Sequence, residues 1–349
     1  MAPPAPQHVY TAGEAIALQV RVLADGAPAP DGLTVRWSTD AGSIQTQRAG
    51  TQGGLVSAVL TGAPAGQVTV QASADLQGQS ASAKQFLQLR PPPRPLEILV
   101  PAYFGAGPKS SGWEALARSA REYPDLRITA ILNPSDGIFN RVDAPLLQAA
   151  TAFRAAGGHV LGYVMTDYGA RSLSSVRQNV DRYLELYGSE LIEGIFIDEM
   201  ATSDKRADYY AQVQAYVKSR SAELRVVGNP GTRPGQAYAL LTDTLVTFEG
   251  PEIQYRDFAL QPSDAWLYRR SNAAQAMLVH DAVGCQAMQT SLQRALAADV
   301  NTGVVYVTDL HYDVPTHDGD PWAALPSYWD QFVASVAALN RGAALPACR

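Results

Sequence analysis

The stretch GIFIDEM, residues 194–200, places three bulky apolar residues directly before two adjacent carboxylates, Asp198 and Glu199. A short apolar run of this kind is typical of a strand buried inside a sheet. Carboxylates are almost never fully buried unless they are paired. We therefore expect this strand to end either at a solvent-facing rim or in a site that uses the two charges.

Seven further runs of the same kind follow residue 95, and segments of helical pattern separate them. These runs are LEILVPAY (96–103), RITAILNP (127–134), HVLGYVMT (159–166), RVVGNPG (225–231), TLVTFEG (244–250), AMLVHDA (276–282) and GVVYVTD (303–309). Near-continuous apolar runs indicate strands buried on both faces, as in parallel sheets. Eight strand–helix units in about 245 residues match the usual size of a (β/α)8 barrel. A doubly wound open sheet is the alternative, but PAYFGAGPKSSGW (101–113) is a poor version of its glycine-rich phosphate turn.

In the first 90 residues, apolar positions recur with a different spacing. The segments AIALQVRVL (15–23), LTVRWSTDAG (33–42), GLVSAVLTG (54–62) and GQVTVQASADL (66–76) alternate apolar and polar residues between turns. This pattern predicts an all-β sandwich, and it resembles bacterial immunoglobulin-like modules of the invasin type, with Trp37 as the core aromatic. The run RPPPRP (90–95) predicts a stiff spacer.

The chain therefore divides into five predicted segments. They are a tail at 1–7, an immunoglobulin-like sandwich at 8–89, the proline-rich linker at 90–95, the barrel at 96–341 and a second tail at 342–349.

Composition restricts the class of partner. A net charge of −6 and a pI of about 5.4 argue against a general nucleic-acid binder, which would carry a basic patch. The same balance is compatible with a cationic substrate.

No apolar run approaches the roughly 20 residues that span a membrane. The two cysteines, Cys285 and Cys348, fit neither a zinc pattern nor a redox pair, so a disulfide and two free thiols both remain open.

Polar side chains stand at the end of every predicted barrel strand. The active site of such a barrel lies at the C-terminal ends of its strands, so these residues predict a polar cup on one face. They are Tyr103, Asn133, Thr166 with Asp167 and Tyr168, Asp198 with Glu199, Asn229, Glu249, His280 with Asp281, and Thr308 with Asp309.

The acids at the ends of the fourth and sixth predicted strands suggest a pair of catalytic carboxylates. Because consecutive strand residues point to opposite sides, only one of Asp198 and Glu199 can face the barrel axis directly. Glu249 ends the strand two units further on, so a carboxylate from the fourth strand can face one from the sixth, as glycoside hydrolysis requires. A lone acid at a strand end is, however, more often a cap or a surface charge, and Asn133 and Asn229 each precede a proline, as in ordinary turns.

A metal site is the main chemical alternative. Hard ligands come from Asp198, Glu199, Glu249, His280, Asp309 and His311. The first strand has no His-x-His pair, and no His-x₃-His spacing falls on a helix. We therefore expect no metal and no other cofactor.

The motifs LVPAYF (99–104), ILNPSDG (131–137), GYVMTDYGAR (162–171), GIFIDE (194–199), GNPGT (228–232) and VTFE (246–249) occur in this order. Together they resemble the spherulin-4-like family. That resemblance implies a (β/α)8 barrel that cleaves α-1,4-linked galactosamine or N-acetylgalactosamine polymers of biofilm and cell-wall exopolysaccharide. It maps the catalytic acids onto Asp198, Glu199 and Glu249, with Asp198 as nucleophile and Glu249 as proton donor. NPSDG replaces the commoner Asn-Pro-Asn-Ser-Gly, which puts substrate contacts from that loop in doubt.

We therefore predict a retaining glycoside hydrolase that acts as a monomer on an aminosugar polymer. We expect it to be secreted or periplasmic, although MAPPAPQHVY (1–10) does not have the basic and apolar regions of a signal peptide. The alternatives are a non-catalytic polysaccharide-binding barrel with an immunoglobulin-like tether and a metal-dependent barrel hydrolase. The predicted substrate-binding residues are Tyr103, Asn133, Tyr168, Asn229, His280, Asp309 and Tyr312.

Overall fold

The computed structural model describes residues 8–107, 112–259, 261–313 and 315–348. The predicted tail at 1–7 and the last residue of the predicted tail at 342–349 lie outside these ranges.

The chain forms two compact units. The first comprises Met1–Pro93 and Ala259–Ser271, and the second comprises Arg94–Phe258 and Asn272–Arg349. The first boundary falls inside the predicted proline-rich linker. The assignment of Ala259–Ser271 to the first unit was not predicted, since this segment lies between two barrel strands in sequence.

Together with the helical turns of its segment Ala259–Ser271, the described residues of the first unit contain nine strands. Their bounds are β1 Val9–Thr11, β2 Ile16–Arg21, β3 Leu23–Ala24, β4 Ala27–Pro28, β5 Val35–Thr39, β6 Ser43–Thr46, β7 Leu55–Thr61, β8 Gly66–Leu76 and β9 Gln79–Arg90. One sheet has the order β1-β9-β8-β5 and a second has the order β2-β7-β6, while β3 and β4 form a small hairpin. All pairs are antiparallel except β1 with β9.

The two larger sheets of this unit share one apolar core. Ile16 and Leu60 from one sheet cluster with Val70 and Leu89 from the other. Trp37, the predicted core aromatic, is half-buried and packs against this cluster. The β domain predicted ahead of the barrel is confirmed, and its kinship with immunoglobulin-like modules stays a prediction.

The second unit is a closed barrel of eight parallel strands. Their bounds are β10 Glu97–Ala102, β11 Ile128–Leu132, β12 His159–Met165, β13 Gly194–Asp198, β14 Arg225–Gly228, β15 Thr244–Pro251, β16 Gln275–His280 and β17 Val304–Val307. The barrel closes where Glu97 pairs with Val304. Every residue of β11 is buried, as expected for a strand covered on both faces. The predicted (β/α)8 barrel is confirmed, and the open sheet is excluded.

Helices connect the strands. They are α1 Gly112–Glu122, α2 Ala144–Ala155, α3 Leu173–Arg182, α4 Ala207–Arg220, α5 Glu252–Tyr255, α6 Ala265–Tyr268, α7 Cys285–Leu296 and α8 Trp329–Asn340. A π-helical turn, Tyr183–Gly188, continues α3, and only a 3₁₀ helix, Gln236–Leu240, joins β14 to β15. Further 3₁₀ turns are Pro134–Gly137, Asp167–Gly169, Asp204–Arg206, Pro262–Asp264 and Asn272–Ala274. A short hairpin, β18 Tyr312–Asp313 with β19 Asp318–Gly319, follows the last barrel strand.

Local sequence signals place these helices. Asp143 caps α2 by accepting a hydrogen bond from the Leu146 N–H at 3.0 Å, and Ser172 caps α3, since short polar side chains satisfy the free N–H groups of a first turn. Tyr183 then anchors the continuation of α3 to the barrel, because its hydroxyl donates to the Leu132 carbonyl at 3.0 Å.

An ionic cluster forms at the N-terminal face of the barrel. Glu193, one residue before β13, contacts Arg154 and the Nδ1 atom of His159 at 2.5 Å each, and Arg127 at 3.4 Å. Burial alone would raise the pKa of Glu193, but these partners hold it below its usual value.

A disulfide joins Cys285, the first residue of α7, to Cys348, with their Cα atoms 5.5 Å apart. The question left open by the sequence is thus answered in favour of the bonded pair. Among the helices of the described residues, none has the length and hydropathy of a membrane span.

Candidate active site

A cavity of about 670 Å³ opens at the C-terminal ends of the barrel strands, where the sequence predicted a polar cup. Seven of the ten predicted site residues line it: Tyr168, Asp198, Glu199, Asn229, Glu249, His280 and Tyr312. The remaining lining residues are Pro230, Gly231, Gly250, Pro251, Gln254, Gly319, Asp320, Pro321 and Trp322.

The backbone explains how two consecutive acids reach the same cavity. Asp198 is the last residue of β13, and Glu199 adopts a left-handed conformation with φ of 51°, which ends the strand and its alternation. The loop after β12 stabilises this turn, because the Thr166 hydroxyl and the Tyr168 N–H both donate to the Glu199 carbonyl, at 2.9 and 2.8 Å. A non-glycine residue in this region costs about 1–3 kcal/mol and persists where its surroundings fix it.

A β-bulge directs the third acid inward. Thr247 is an extra residue in β15, since Val246 pairs with Ala276 while Phe248 pairs with the next residue of β16. Phe248 then packs against Tyr255 of α5, with ring centroids 4.8 Å apart, and Glu249 lines the cavity. Bulges redirect side chains in this way near active sites.

Asn229 bridges the two acids. Its Oδ1 atom accepts the Gly231 N–H at 2.9 Å, which directs the amide nitrogen toward the carboxylates. That nitrogen donates to Asp198 Oδ1 at 2.8 Å and to Glu249 Oε2 at 2.7 Å. Because one nitrogen reaches both oxygens, these two oxygens lie at most about 5.5 Å apart, which is less than the roughly 6.5–9.5 Å between the carboxyl groups of an inverting pair.

The two carboxyl groups differ in their affinity for a proton. Burial raises the pKa of Glu249 to about 7, and the charge of Asp198 adds to the rise. Burial also raises the pKa of Asp198, but hydrogen bonds from Tyr163, the Glu199 backbone and Asn229 oppose it. Asp198 thus has three donors where Glu249 has one, so Glu249 is the carboxyl group of the pair that holds a shared proton more readily.

Tyr163 is a donor to Asp198 that the sequence prediction missed. It lies in β12, is 7% exposed, stacks on Phe196 with centroids 6.2 Å apart and forms a hydrogen bond with the Asp198 carboxyl group. Burial raises the pKa of the Tyr163 phenol well above its ordinary value. The phenol therefore keeps its proton and donates a hydrogen bond to the Asp198 carboxylate.

Glu199 and Tyr168 occupy one rim of the cavity. The Glu199 carboxylate accepts the Asp167 N–H at 3.1 Å, and burial together with the charge of Asp198 raises its pKa. Tyr168 is 63% exposed, so its ring presents an aromatic surface at the cavity mouth.

His280, Tyr312 and Trp322 form the opposite wall. The His280 ring meets both aromatic rings nearly at right angles, with centroids 6.1 and 6.4 Å away. Its Nδ1 atom lies 2.5 Å from Asp281 Oδ2, and the other oxygen of Asp281 lies 2.5 Å from Nδ1 of His311. These bonds hold the pKa of Asp281 below its usual value against the opposing effect of burial.

Three predicted substrate-binding residues are not in the cavity lining. Tyr103 packs edge-on against Tyr163 at 5.5 Å. Asn133 has its Oδ1 atom buried without a partner in the described part of the chain. Asp309 accepts hydrogen bonds from the backbone and hydroxyl of Ser327, so it holds the loop before α8.

The described lining of the cavity is acidic. Asp198, Glu199, Glu249 and Asp320 contribute carboxyl groups, and neither Lys nor Arg is present among the described residues that line the cavity. A grouping of three or more His, Cys, Asp or Glu side chains suited to a metal ion is likewise absent from the described ranges.

Comparisons with known proteins agree with this architecture. A sequence model of the family described as "Spherulation-specific family 4" matches residues 97–336. Spherulin-4 of Physarum polycephalum is 30% identical over 254 residues, 70% of this chain and 71% of that protein. Aspergillus clavatus Sph3, solved in complex with GalNAc, has 21% identity and a TM-score of 0.56, and the match covers 70% of this chain and 98% of that one. At that identity, the likeness to Sph3 shows a shared fold. The resemblance inferred from six ordered motifs is confirmed: the chain belongs to Spherulation-specific family 4.

Proposed function

We propose that this chain is a retaining glycoside hydrolase that cleaves α-1,4-linked galactosamine or N-acetylgalactosamine polymers. One observation carries the proposal: the Asn229 amide nitrogen hydrogen-bonds to the carboxylates of both Asp198 and Glu249 in one cavity, so that one oxygen of each lies at most about 5.5 Å from the other, which favours a retaining mechanism.

The difference in pKa assigns the roles. Asp198, whose negative charge is stabilised by three hydrogen-bond donors, serves as the nucleophile. Glu249, whose pKa is raised to about 7 by burial and by the charge of Asp198, keeps the proton that a leaving oxygen needs. Pairs of carboxyl groups with separated pKa values are characteristic of glycosidases. The resemblance to the family leads to the same assignment.

Two displacements complete the reaction. In the first, an Asp198 oxygen bonds to the anomeric carbon, the bond from that carbon to the bridging oxygen breaks, and Glu249 gives its proton to that oxygen. In the second, Glu249 takes a proton from water, the water oxygen bonds to the anomeric carbon, and the bond to Asp198 breaks. Two inversions give net retention. Asn229 keeps both carboxylates in place but has no N–H left for the substrate, so we assign it a positioning role.

Two features support an aminosugar polymer as substrate. Aspergillus clavatus Sph3, which shares this fold, was solved in complex with GalNAc. The cavity presents carboxyl groups without a lysine or arginine among its described lining, which favours a ligand rich in hydrogen-bond donors or bearing ammonium groups. Glu199, on the rim, is the carboxylate available for such a contact.

The proposed location is extracytoplasmic. The bond between Cys285 and Cys348 supports an oxidising compartment, because structural disulfides are rare in reducing cytosol. A secreted or periplasmic hydrolase would also meet exopolysaccharide directly.

Chain cleavage of a partly deacetylated α-1,4-galactosamine polymer tests the activity. Asp198→Asn and Glu249→Gln keep the side-chain size and remove the charge or the acid. We expect each to lower kcat by at least about 10²–10⁴-fold, the usual contribution of a positioned acid or base. Near wild-type rates in both variants would refute the assignment. Polymer retained by the wild-type protein without any product would instead indicate a binding barrel.

The stereochemistry is tested with azide as an external nucleophile. In Glu249→Ala, azide should attack the covalent intermediate and give an α-glycosyl azide. In Asp198→Ala, direct displacement should give the β-product. If the two acids have the opposite roles, these two products exchange.

A further inference from the structure

The His280 side chain stands at the cavity wall with one ring nitrogen bound and the other free. It is only 3% exposed, and its Nδ1 atom lies 2.5 Å from the Asp281 carboxylate. A carboxylate only accepts hydrogen bonds, so Nδ1 carries the hydrogen of this bond. In the neutral ring, Nε2 then carries a lone pair.

Nε2 has no hydrogen-bond partner among residues 8–107, 112–259, 261–313 and 315–348. Tyr312 and Trp322 pack on the His280 ring, and all three side chains line the cavity. The open space next to this ring is the cavity itself. A ligand in the cavity can therefore satisfy this nitrogen.

Asp281 is fixed by several contacts. Its N–H donates to the Leu310 carbonyl at 3.0 Å, and its second carboxylate oxygen lies 2.5 Å from Nδ1 of His311. Its φ of 56° is left-handed, a conformation that a non-glycine residue keeps only where its surroundings require it. The carboxylate is thus held in place to orient the His280 ring.

The register of the barrel places His280 close to the chemistry. Glu249 pairs with Leu278 and Pro251 pairs with His280. His280 therefore lies on the neighbouring strand, two residues nearer the cavity mouth than Glu249.

We infer that Asp281 fixes the tautomer of His280, so that Nε2 accepts a hydrogen bond from a hydroxyl group of the bound sugar beside Glu249. His280 is then a substrate-binding residue with a defined polarity, and Asp281 is its positioning residue. This inference rests on the proposed function for the identity of the ligand. It implies discrimination against sugars that present only an acceptor at this position, such as carboxylated or sulfated rings.

Histidine nitrogen NMR tests the tautomer directly. The chain has five histidines, so long-range ¹H–¹⁵N spectra of ¹⁵N-histidine-labelled protein can be assigned with His280→Phe. We expect Nδ1 of His280 to be protonated and Nε2 not, and we expect the Nε2 resonance to move when galactosamine or N-acetylgalactosamine is added. Asp281→Asn should change this tautomer, since an amide can donate to Nδ1 where a carboxylate cannot, as in the analogous change in serine proteases.

Sugar binding to the Glu249→Gln background tests the contact without hydrolysis. We expect His280→Phe and Asp281→Asn each to raise the Kd of either sugar about tenfold, the effect of one lost hydrogen bond. His159→Phe is the matched control, because His159 forms the same type of Nδ1–carboxylate pair with Glu193 at the opposite face of the barrel. It should leave the Kd within about twofold.

The outcomes separate the two proposals. If Nε2 is protonated in the unbound protein, or if His280→Phe leaves the Kd unchanged, the inference is overturned while the proposed function stands. If neither sugar nor a short α-1,4-linked oligomer binds the Glu249→Gln protein, the proposed function fails and the inference fails with it.

Discussion

Replacing Tyr163 by Phe removes one donor from Asp198 and little else. The ring keeps its stack on Phe196 and its edge contact with Tyr103, so packing should survive. Hydrogen bonds to charged groups contribute about 1.5–3 kcal/mol, and one pKa unit corresponds to about 1.4 kcal/mol. We therefore expect the pKa of the Asp198 carboxyl group to rise by about 1–2 units.

The expected result is a selective change in the pH profile of kcat/KM. The rate should rise with pH as Asp198 ionises and fall again as Glu249 loses its proton, near its pKa of about 7. Tyr163→Phe should move the acidic limb up by about 1–2 units. The basic limb should move less, because the hydrogen bond that is lost is made to Asp198 and not to Glu249. The bell-shaped pH profile should therefore become narrower, and the maximum value of kcat/KM should fall.

The assay is initial-rate hydrolysis of a soluble α-1,4-galactosamine oligomer between about pH 3 and 9. Tyr216→Phe provides a matched control, since the Tyr216 hydroxyl donates to Asp181 at 2.7 Å, well away from the cavity lining. Its profile should overlay that of the wild type. A shift confined to the basic limb in Tyr163→Phe would show that the ionised nucleophile is not Asp198, and an unchanged profile would refute the role of the phenol.

Three further predictions concern the barrel. Cys285→Ser opens a link that spans 63 residues, so the free energy of unfolding measured with denaturant should fall by about 2–4 kcal/mol, whereas an equal stability for the reduced and oxidised proteins would contradict this. Tyr168→Asn removes an exposed ring while keeping a residue type that tolerates left-handed φ; KM for polymer should rise several-fold with kcat within about twofold, and a comparable loss in kcat would instead place the ring in the chemical step. Glu193 has a depressed pKa in the folded chain, so it stabilises the fold above its unfolded pKa of about 4.3 and loses that contribution as pH falls through its lower folded value. The Tm of Glu193→Gln should therefore lie below wild type at pH 7, and the gap should shrink on acidification toward pH 3; a gap independent of pH would show that the charge is not the cause.

The barrel was predictable because its signal is carried by continuous burial. Eight apolar runs correspond to eight strands, and helices lie between them, as the segments of helical pattern indicated. The C-terminal ends of those strands then defined the cavity, since parallel strands in a barrel present the same end to one face.

Four features of the site were not predictable, for different physical reasons. The bulge at Thr247 depends on pairing with a neighbouring strand, which a single apolar run does not reveal. The role of Tyr163 depends on which face of β12 it occupies, and a strand buried on both faces shows no alternation that would tell. Asp320 and Trp322 follow a short hairpin instead of a barrel strand, so no strand end marked them. Asp281 was noted beside His280, but its pairing with two histidines depends on the fold.

The described cavity lining offers no Lys or Arg side chain to neutralise Asp198 and Glu249. A bound proton is therefore what reduces the negative charge of this pair. Two unit charges at most about 5.5 Å apart repel by at least about 3 kcal/mol at an effective dielectric constant near 20, which corresponds to a pKa difference of at least about 2. Without lysine or arginine in the described lining, the pair of Asp198 and Glu249 relieves this repulsion by retaining one proton. The leaving oxygen needs that same proton. The lack of a cationic side chain in the described lining therefore favours the protonated Glu249 that catalysis requires. A substrate ammonium bound beside Glu249 would favour its ionised form and deprive the reaction of its acid. We infer that any amino group of the substrate is held near Glu199 on the rim, which separates recognition of charge from the pair that transfers the proton.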